Sequence, residues 1–457
     1  MKLLKNSRHT IEIIDVTEKG FGVGEIDGFV VFIDGALPGD VIDTLIIKIK
    51  KKYAYGKIIQ IKTPSAFRIK SNCPVSHSCG GCQWQHCEYE AQLKFKKQIV
   101  KSALEKIGGL IDPPVFDVIG TNKPARYRNK AVFPIVPAKN TDGFAIGMFA
   151  ARSHRIVQVS DCAIQHEAHI EILSAVKTHM RRHKITAYDE TTHKGIMRHT
   201  VVRTSFETGE IMVVLVANGK IPKRAELTAA LVELGASTVL VNKNTMKNNT
   251  IMSDEFQILH GEGFIREKIG EVEYQLSAPS FFQINPVQTK ILYETAIAQA
   301  ELDGSQIVID AHAGVGGVAL FTAKHAKGAK KIIGVDIVQS AVYDAQKNSA
   351  LNGIENAEFI CGAAEEVIPK LMQSSESKPD VVFLDPPRKG CDSVLLDALI
   401  AAEIKKIIYI SCDPATLARD IKHLTQNGSY KLTAAQPVDM FPFTGKIEVC
   451  CNLGAVK

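Results

Sequence analysis

A chain of 457 residues, 45% hydrophobic and 23% charged, has room for two or three domains with sizeable cores and the balance of a globular protein. No apolar run approaches the ~18 residues of a membrane span, and MKLLKNSRHT at the N-terminus lacks the apolar block of a signal peptide, so a cytoplasmic protein with no membrane partner is expected. Ten cysteines without a secretion signal argue against a disulfide framework and for metal ligation or catalysis, while a net charge of +6 leans toward a polyanionic partner.

In chain order, residues 11–16, 29–33 and 41–50 cluster or alternate apolar β-formers, and glycines with the Pro38-Gly39 pair mark turns between them. Short strands closed by glycines predict a small β-barrel over residues 1–65. Lys48, Lys50, Lys51 and Lys52 beside Tyr53 and Tyr55 suit phosphate contact plus base stacking, and would equally make a solvated lysine face.

Residues 66–275 are expected to form a β-rich central domain. It opens with CPVSHSCGGCQWQHC, in which Cys73, Cys79 and Cys82 stand at C-x5-C-x2-C spacing and Gly80-Gly81 lets the backbone wrap round one centre. A fourth thiolate would come from Cys87 or Cys162. Spacing alone does not separate structural zinc from an iron-sulfur cluster, and a radical enzyme using S-adenosylmethionine would want a tighter triplet. Residues 91–106 repeat apolar side chains at helical spacing with the lysines mostly on the other face, which predicts an amphipathic helix. Strands are predicted at 131–136, 145–149, 200–204 and 211–216. Two basic loops, Arg126 to Lys130 and Arg152 to Arg155, would grip RNA phosphates or simply be solvated.

Residues 276–457 alternate strands and helices, the pattern of a Rossmann-like parallel sheet in an α/β domain. Strand 307–310 runs into AHAGVGG, whose Gly314, Gly316 and Gly317 permit a tight turn and close backbone approach to a ligand. Strand 331–335 ends at Asp336, placed to accept hydrogen bonds from ribose hydroxyls. That pairing fits a dinucleotide or S-adenosylmethionine, and the D-x-x-x-G-x-G spacing from Asp310 favours the second. Strand 381–384 ends at Asp385, held in the cleft by the two prolines that follow. The apolar run 407–410 stops at Ser411-Cys412-Asp413-Pro414, so Cys412 should sit at a strand's carboxyl end facing a helix N-terminus, where partial positive charge would lower its pKa toward the attacking thiolate. The plainer alternative is a buried core cysteine. Glu448 lies in the last strand, 447–453, and taken alone would be a surface residue at a strand end.

SFFQINPVQT (280–289), the glycine turn after Asp310, LDPPRKGC (384–391), ISCDPATLARD (410–420) and DMFPFTGKIE (439–448) together resemble RNA uracil-5-methyltransferases of the RumA/TrmA type, over nearly the whole chain. The first 65 residues resemble a TRAM domain. This barrel and the cysteine set look like the branch acting on 23S rRNA, with tRNA as the alternative substrate and a catalytically silent, redox-sensing RNA-binding protein as a further one. The resemblance implies a [4Fe-4S] cluster on Cys73, Cys79, Cys82 and Cys162, although Cys87 stands where an apolar residue is usual. It implies Cys412 as nucleophile at uracil C6 and Glu448 as the base that removes the C5 proton. Asp385 would position substrate and cofactor, and Gln283, His312, Gly314 and Asp336 would hold S-adenosylmethionine. His312, Ala363, Phe443 and Lys446 depart from residues usual in the family, the first at a position that is usually aromatic. A monomer is expected.

Overall fold

The computed structural model describes residues 3–139, 142–325, 329–373 and 378–456; residues 1, 2 and 457, at the outer ends of the expected ranges, lie outside them. The first strands close a barrel in the order Arg8–Val16, Phe21–Ile26, Phe29–Asp34, Tyr53–Thr63, Val41–Ile49. Alternation puts Ile11, Ile13, Val31, Ile33, Ile42 and Ile46 into its core. Phe21–Ile26 had read as turn because of its glycines. A Cβ on Gly22 would come within 2.8 Å of Ala36, and one on Gly24 within 2.7 Å of the Glu12 carbonyl, so strand packing is what demands them. Tyr53 and Tyr55 form an aromatic cluster with Phe21 and Phe32, ring centroids 5.4–5.9 Å apart.

The central region carries a six-stranded sheet in the order Phe256–His260, Ala236–Lys243, Ile211–Ala217, Met197–Thr204, Lys130–Ala138, Gly143–Ile146. Helices Glu167–Arg182 and Arg224–Glu233 bury Ile172, Val176, Leu227 and Leu231 against it.

The last part is a seven-stranded sheet in the order Ala357–Cys361, Lys331–Asp336, Ile307–Asp310, Val381–Leu384, Lys406–Ser411, Glu448–Ala455, Tyr430–Val438. Glu448–Ala455 runs antiparallel to both neighbours, while the ladders from Ala357–Cys361 to Lys406–Ser411 are parallel. Both faces are covered, which is why these strands read as unbroken apolar runs. Strand order reverses between Ile307–Asp310 and Val381–Leu384, so a crevice opens beyond the carboxyl ends of these two strands.

Helix Tyr89–Lys106 precedes the central sheet in sequence yet packs on the seven-stranded one, burying Val100 and Leu104 among Leu417 and Ile421 of helix Pro414–Thr425. Its lysines are not all on the solvent side. Lys96 is fully buried, with its ammonium 2.5 Å from the equally buried Asp439. Downstream of this helix, Val115 and Ile119 bridge in parallel to Ala435 and Val438 on the sheet's outer edge. No helix among the described residues is long and apolar enough to cross a membrane.

Candidate active site

On one side of the crevice the glycine turn folds as the sequence requires. Gly314 and Gly316 have φ of +53° and +87°, and a Cβ on Gly316 would strike Leu320 at 2.7 Å. Asp310 is buried at the strand end and accepts the amide N–H groups of Ala319 and His312. Burial, with Asp336 nearby, pushes its carboxyl up to about 7. Asp336 accepts the amide N–H of Gly314 at 2.9 Å and of Val338 at 2.8 Å, which fixes its carboxylate at the crevice edge and leaves lone pairs for a ribose. Burial holds His312 neutral, down to about 4, and its Nδ1 is buried without a partner. Ile337 and Val338, 70% and 51% exposed, are bare apolar side chains next to Asp336, as a planar base would need.

The loop holding Gln283 is tied down from three sides. Arg203, buried in the central sheet, donates to the carbonyls of Ser280 (2.5 Å) and Ser277 (3.3 Å). Asn129 donates to the carbonyl of Gln283, and the Ser277 and Ser280 hydroxyls donate to Asp344 on helix Gln339–Leu351. Gln283 is buried, while Phe281 beside it is 70% exposed. These groups fit a nucleoside-bearing cofactor: a glycine cradle, an anchored carboxylate and exposed apolar side chains beside it.

On the other side stand the reactive groups. Ser411 pairs with Val449 in the antiparallel ladder, so one step further the register sets Cys412 opposite Glu448. Cys412 is half-buried, and Glu448 is 3% exposed with its Oε2 unpartnered. Asp385 lies near both, and Arg388 is the cation beside the thiol and Glu448. Here the expected direction of the thiol's shift is corrected. Burial, then the Glu448 and Asp385 carboxyls, push Cys412 up to about 11. The helix N-terminus offers little relief because Asp413 caps it, its carboxylate accepting the N–H groups of Ala415 and Thr416 and adding negative charge beside the sulfur. Burial likewise raises Glu448, and burial with Asp310 raises Asp385 to about 7.

Away from the crevice, Cys73, Cys79, Cys82 and Cys162 line one enclosed cavity with Met148, Val159 and Ile164. Burial above all, and the facing thiols, push Cys82 up to about 12. Cys87 is not among them; it packs with Trp84, Ala91 and Phe95. Among the described residues, His179, His183 and Glu226 bring three ligand atoms within 4.8 Å of one another. The basic loops are largely occupied. Arg126 pairs with Asp161 and donates to the Cys162 carbonyl, Tyr127 and Lys130 turn inward, and Arg152 pairs with Asp34 over the Phe21 ring.

Sequence reasoning missed Tyr293, buried near Asp310, Asp385 and Glu448, and the charge Arg388 places beside the sulfur. Tyr293 lies four residues past SFFQINPVQT and Arg388 lies inside LDPPRKGC, so the motifs themselves carried the available signal.

A family profile described as tRNA (Uracil-5-)-methyltransferase matches residues 88–455, and one described as a TRAM domain matches residues 2–59. A protein of Clostridium tetani named an uncharacterized RNA methyltransferase is 42% identical over 97% of this chain and 95% of its own length. One of the same description from Halalkalibacterium halodurans is 41% identical over 97% and 96%. The solved structure of Pyrococcus abyssi tRNA (uracil-54, C5)-methyltransferase, in complex with S-adenosyl-L-homocysteine, superposes with a TM-score of 0.76 at 25% identity, covering 98% of this chain and all of that one.

Proposed function

Since the chain belongs to the tRNA (uracil-5-)-methyltransferase family, we propose that it methylates C5 of a uridine in 23S rRNA through a temporary bond from Cys412 to uracil C6. The observation that carries this reading is the placement of Cys412, Glu448 and Asp385 together at the strand tips, beside the cradle formed by Gly314 and Asp336.

C5 of uracil is a weak nucleophile. Attack of the Cys412 sulfur on C6 pushes an electron pair through C5 onto the C4 oxygen, making an enolate whose C5 can take a methyl group. S-adenosylmethionine, when bound, would supply that methyl, the S–CH3 electron pair staying with the departing thioether sulfur. Arg388 beside the sulfur favours the thiolate, and the thiol proton passes to solvent before the sulfur attacks. After transfer, Glu448 accepts the proton on C5, the C5–H electrons form the C5–C6 double bond, and the C6–S bond breaks to return Cys412. Once ionised, a carboxylate whose pKa burial raises is a stronger base than a solvated one in that step. Asp385 positions the base and cofactor between them, while Gln283, His312, Gly314 and Asp336 hold the cofactor. The target uridine must leave its stack to reach this crevice, and the barrel's Lys48, Lys57 and Tyr55 are suited to hold the flanking strand.

Cys73, Cys79, Cys82 and Cys162 would hold a [4Fe-4S] cluster. The apolar side chains that line the cavity suit a cluster kept from solvent.

A second reading, a tRNA substrate, is favoured by the end-to-end superposition on the Pyrococcus abyssi tRNA enzyme. Incubating the protein with labelled S-adenosylmethionine and either 23S rRNA or tRNA transcripts decides between them. Label in 23S rRNA supports the proposal, label in tRNA the second reading, and label in neither would leave a silent RNA-binding protein.

A further inference from the structure

Glu448 is reached through the loop Asp439 to Ile447, and one face of helix Tyr89–Lys106 is given over to that loop. Tyr89, Gln92 and Lys96 recur at i, i+3 and i+7, the spacing of a single stripe. The stripe is polar and faces inward, in a helix otherwise read as amphipathic. The Tyr89 hydroxyl donates to Asp439 at 2.8 Å, and the Lys96 ammonium donates to Asp439 and to the Phe441 carbonyl. Gln92 is fully buried, and its amide is fully used. Its Oε1 accepts the amide N–H of Phe443 at 2.9 Å, while its Nε2 donates to the carbonyls of Cys87 and Trp84. The Phe443 carbonyl in turn accepts the N–H groups of Gln83 and Trp84, at 3.1 and 3.0 Å.

Phe443 has φ of +65°, the left-handed region that disfavours a bulky side chain. A non-glycine residue stays there only when its surroundings over-determine it, and three hydrogen bonds to its own N–H and C=O do so. Five residues later comes Glu448. The turn therefore sets how the chain enters the strand, and with it where the carboxyl points.

We propose that Gln92 is a positioning residue for the proton-removing step: acting through the Phe443 turn, it aims Glu448 at C5 and ties that aim to the segment that follows Cys82. The proposal rests on the reading of Glu448 as the base. Methyl transfer needs Cys412 and the cofactor cradle, which Gln92 does not touch; elimination needs the carboxyl in place. Loss of Gln92 should thus separate two steps that a general loss of structure would impair together.

The test uses the full chain and RNA carrying tritium at the target C5, with Gln92→Ala, Gln92→Glu and Glu448→Gln measured beside the parent protein. Methyl incorporation, tritium release and RNA–protein adduct that survives denaturation are followed in single turnover. For Gln92→Ala, methyl incorporation within about threefold of the parent, tritium release slowed about tenfold or more, and accumulated adduct are expected. Gln92→Glu, which keeps an acceptor for Phe443 and is neutral when protonated, restores release. If Gln92→Ala does not fold, Tyr89→Phe, which removes one hydroxyl from the same stripe, carries the comparison. Methyl transfer and release falling in parallel, or no change while Glu448→Gln traps RNA, would overturn the proposal. Failure of Glu448→Gln itself to trap RNA would instead overturn the role of the base.

Discussion

Cys412 and Glu448 face each other across the tip of the last antiparallel ladder, each one residue beyond the Ser411–Val449 pair, and the carboxyl adds to burial in pushing the thiol's pKa up. Below a pKa of about 11, the thiolate fraction grows about tenfold per pH unit. Iodoacetamide labelling of the Cys412 peptide, followed by mass spectrometry, should rise by about that factor from pH 7 to 8 and again to 9. Asp385 titrates near 7, so above that pH it is an anion that raises the thiol further. Asp385→Asn should speed labelling at pH 8.5 by about three- to tenfold and change it little at pH 6. Asp385→Asn labelled at the parent's rate at each of these pH values would remove Asp385 from the thiol's surroundings.

Cys412→Ala is expected to abolish methyl transfer, and Glu448→Gln to leave RNA covalently attached, because the adduct forms but cannot eliminate. Gel electrophoresis under denaturing conditions with labelled RNA reads both. A Cys412→Ala protein with normal turnover would end the covalent mechanism.

The cavity separates Cys82 from Cys87. Protein purified without oxygen should carry about four irons per chain and broad visible absorption. Cys82→Ser should lose both, whereas Cys87→Ser, whose side chain packs on Trp84 and Phe95, should keep them. Iron analysis beside an absorption spectrum is sufficient, and a colourless zinc protein would refute the cluster.

Breaking the Lys96–Asp439 pair should be costly because both ends are out of water. Lys96→Met leaves a buried carboxylate with only the Tyr89 hydroxyl and the Phe441 amide, and is expected to lower stability by about 3–5 kcal/mol in urea denaturation. Adding Asp439→Asn removes the stranded charge and should recover a substantial part of that loss.

Burial depresses His169 to about 3 and His199 to about 4, both well under the usual ~6.5. Such histidines are neutral in the fold and charged in the unfolded chain below pH 6.5, so their contribution is complete above that pH and lost as pH falls toward the folded values. Each can remove up to about 1.4 kcal/mol per pH unit in that window. Thermal unfolding should shift down between pH 7 and 5, and His169→Gln should flatten the slope.

Much of the C-terminal sheet was legible because strands covered on both faces leave a plain signal. The runs at 307–310, 331–335, 381–384 and 407–410 lie where strands lie. The strand Tyr430–Val438 was missed, since Lys431, Gln436 and Pro437 break its apolar run at the sheet's edge. The meeting of Cys412 with Glu448 was not readable from spacing: it depends on a reversed last strand, and only the resemblance brought the two together. The sign of the thiol's shift failed because burial, then the Glu448 and Asp385 carboxyls, outweigh the helix N-terminus, and none of these is visible in the local sequence. Lys96 misled in the same way as any lysine in an amphipathic pattern, because its partner lies 343 residues away.

The docking of helix Tyr89–Lys106 on helix Pro414–Thr425 sets a schedule for biosynthesis. More than 300 residues separate the end of the first from the start of the second. At roughly 5–20 residues per second, the ribosome leaves the apolar stripe of Val100 and Leu104 without its partner for about 15–60 s. Until translation nears its end this helix is a docking surface for chaperones, and a chain released short of residue 414 carries it bare.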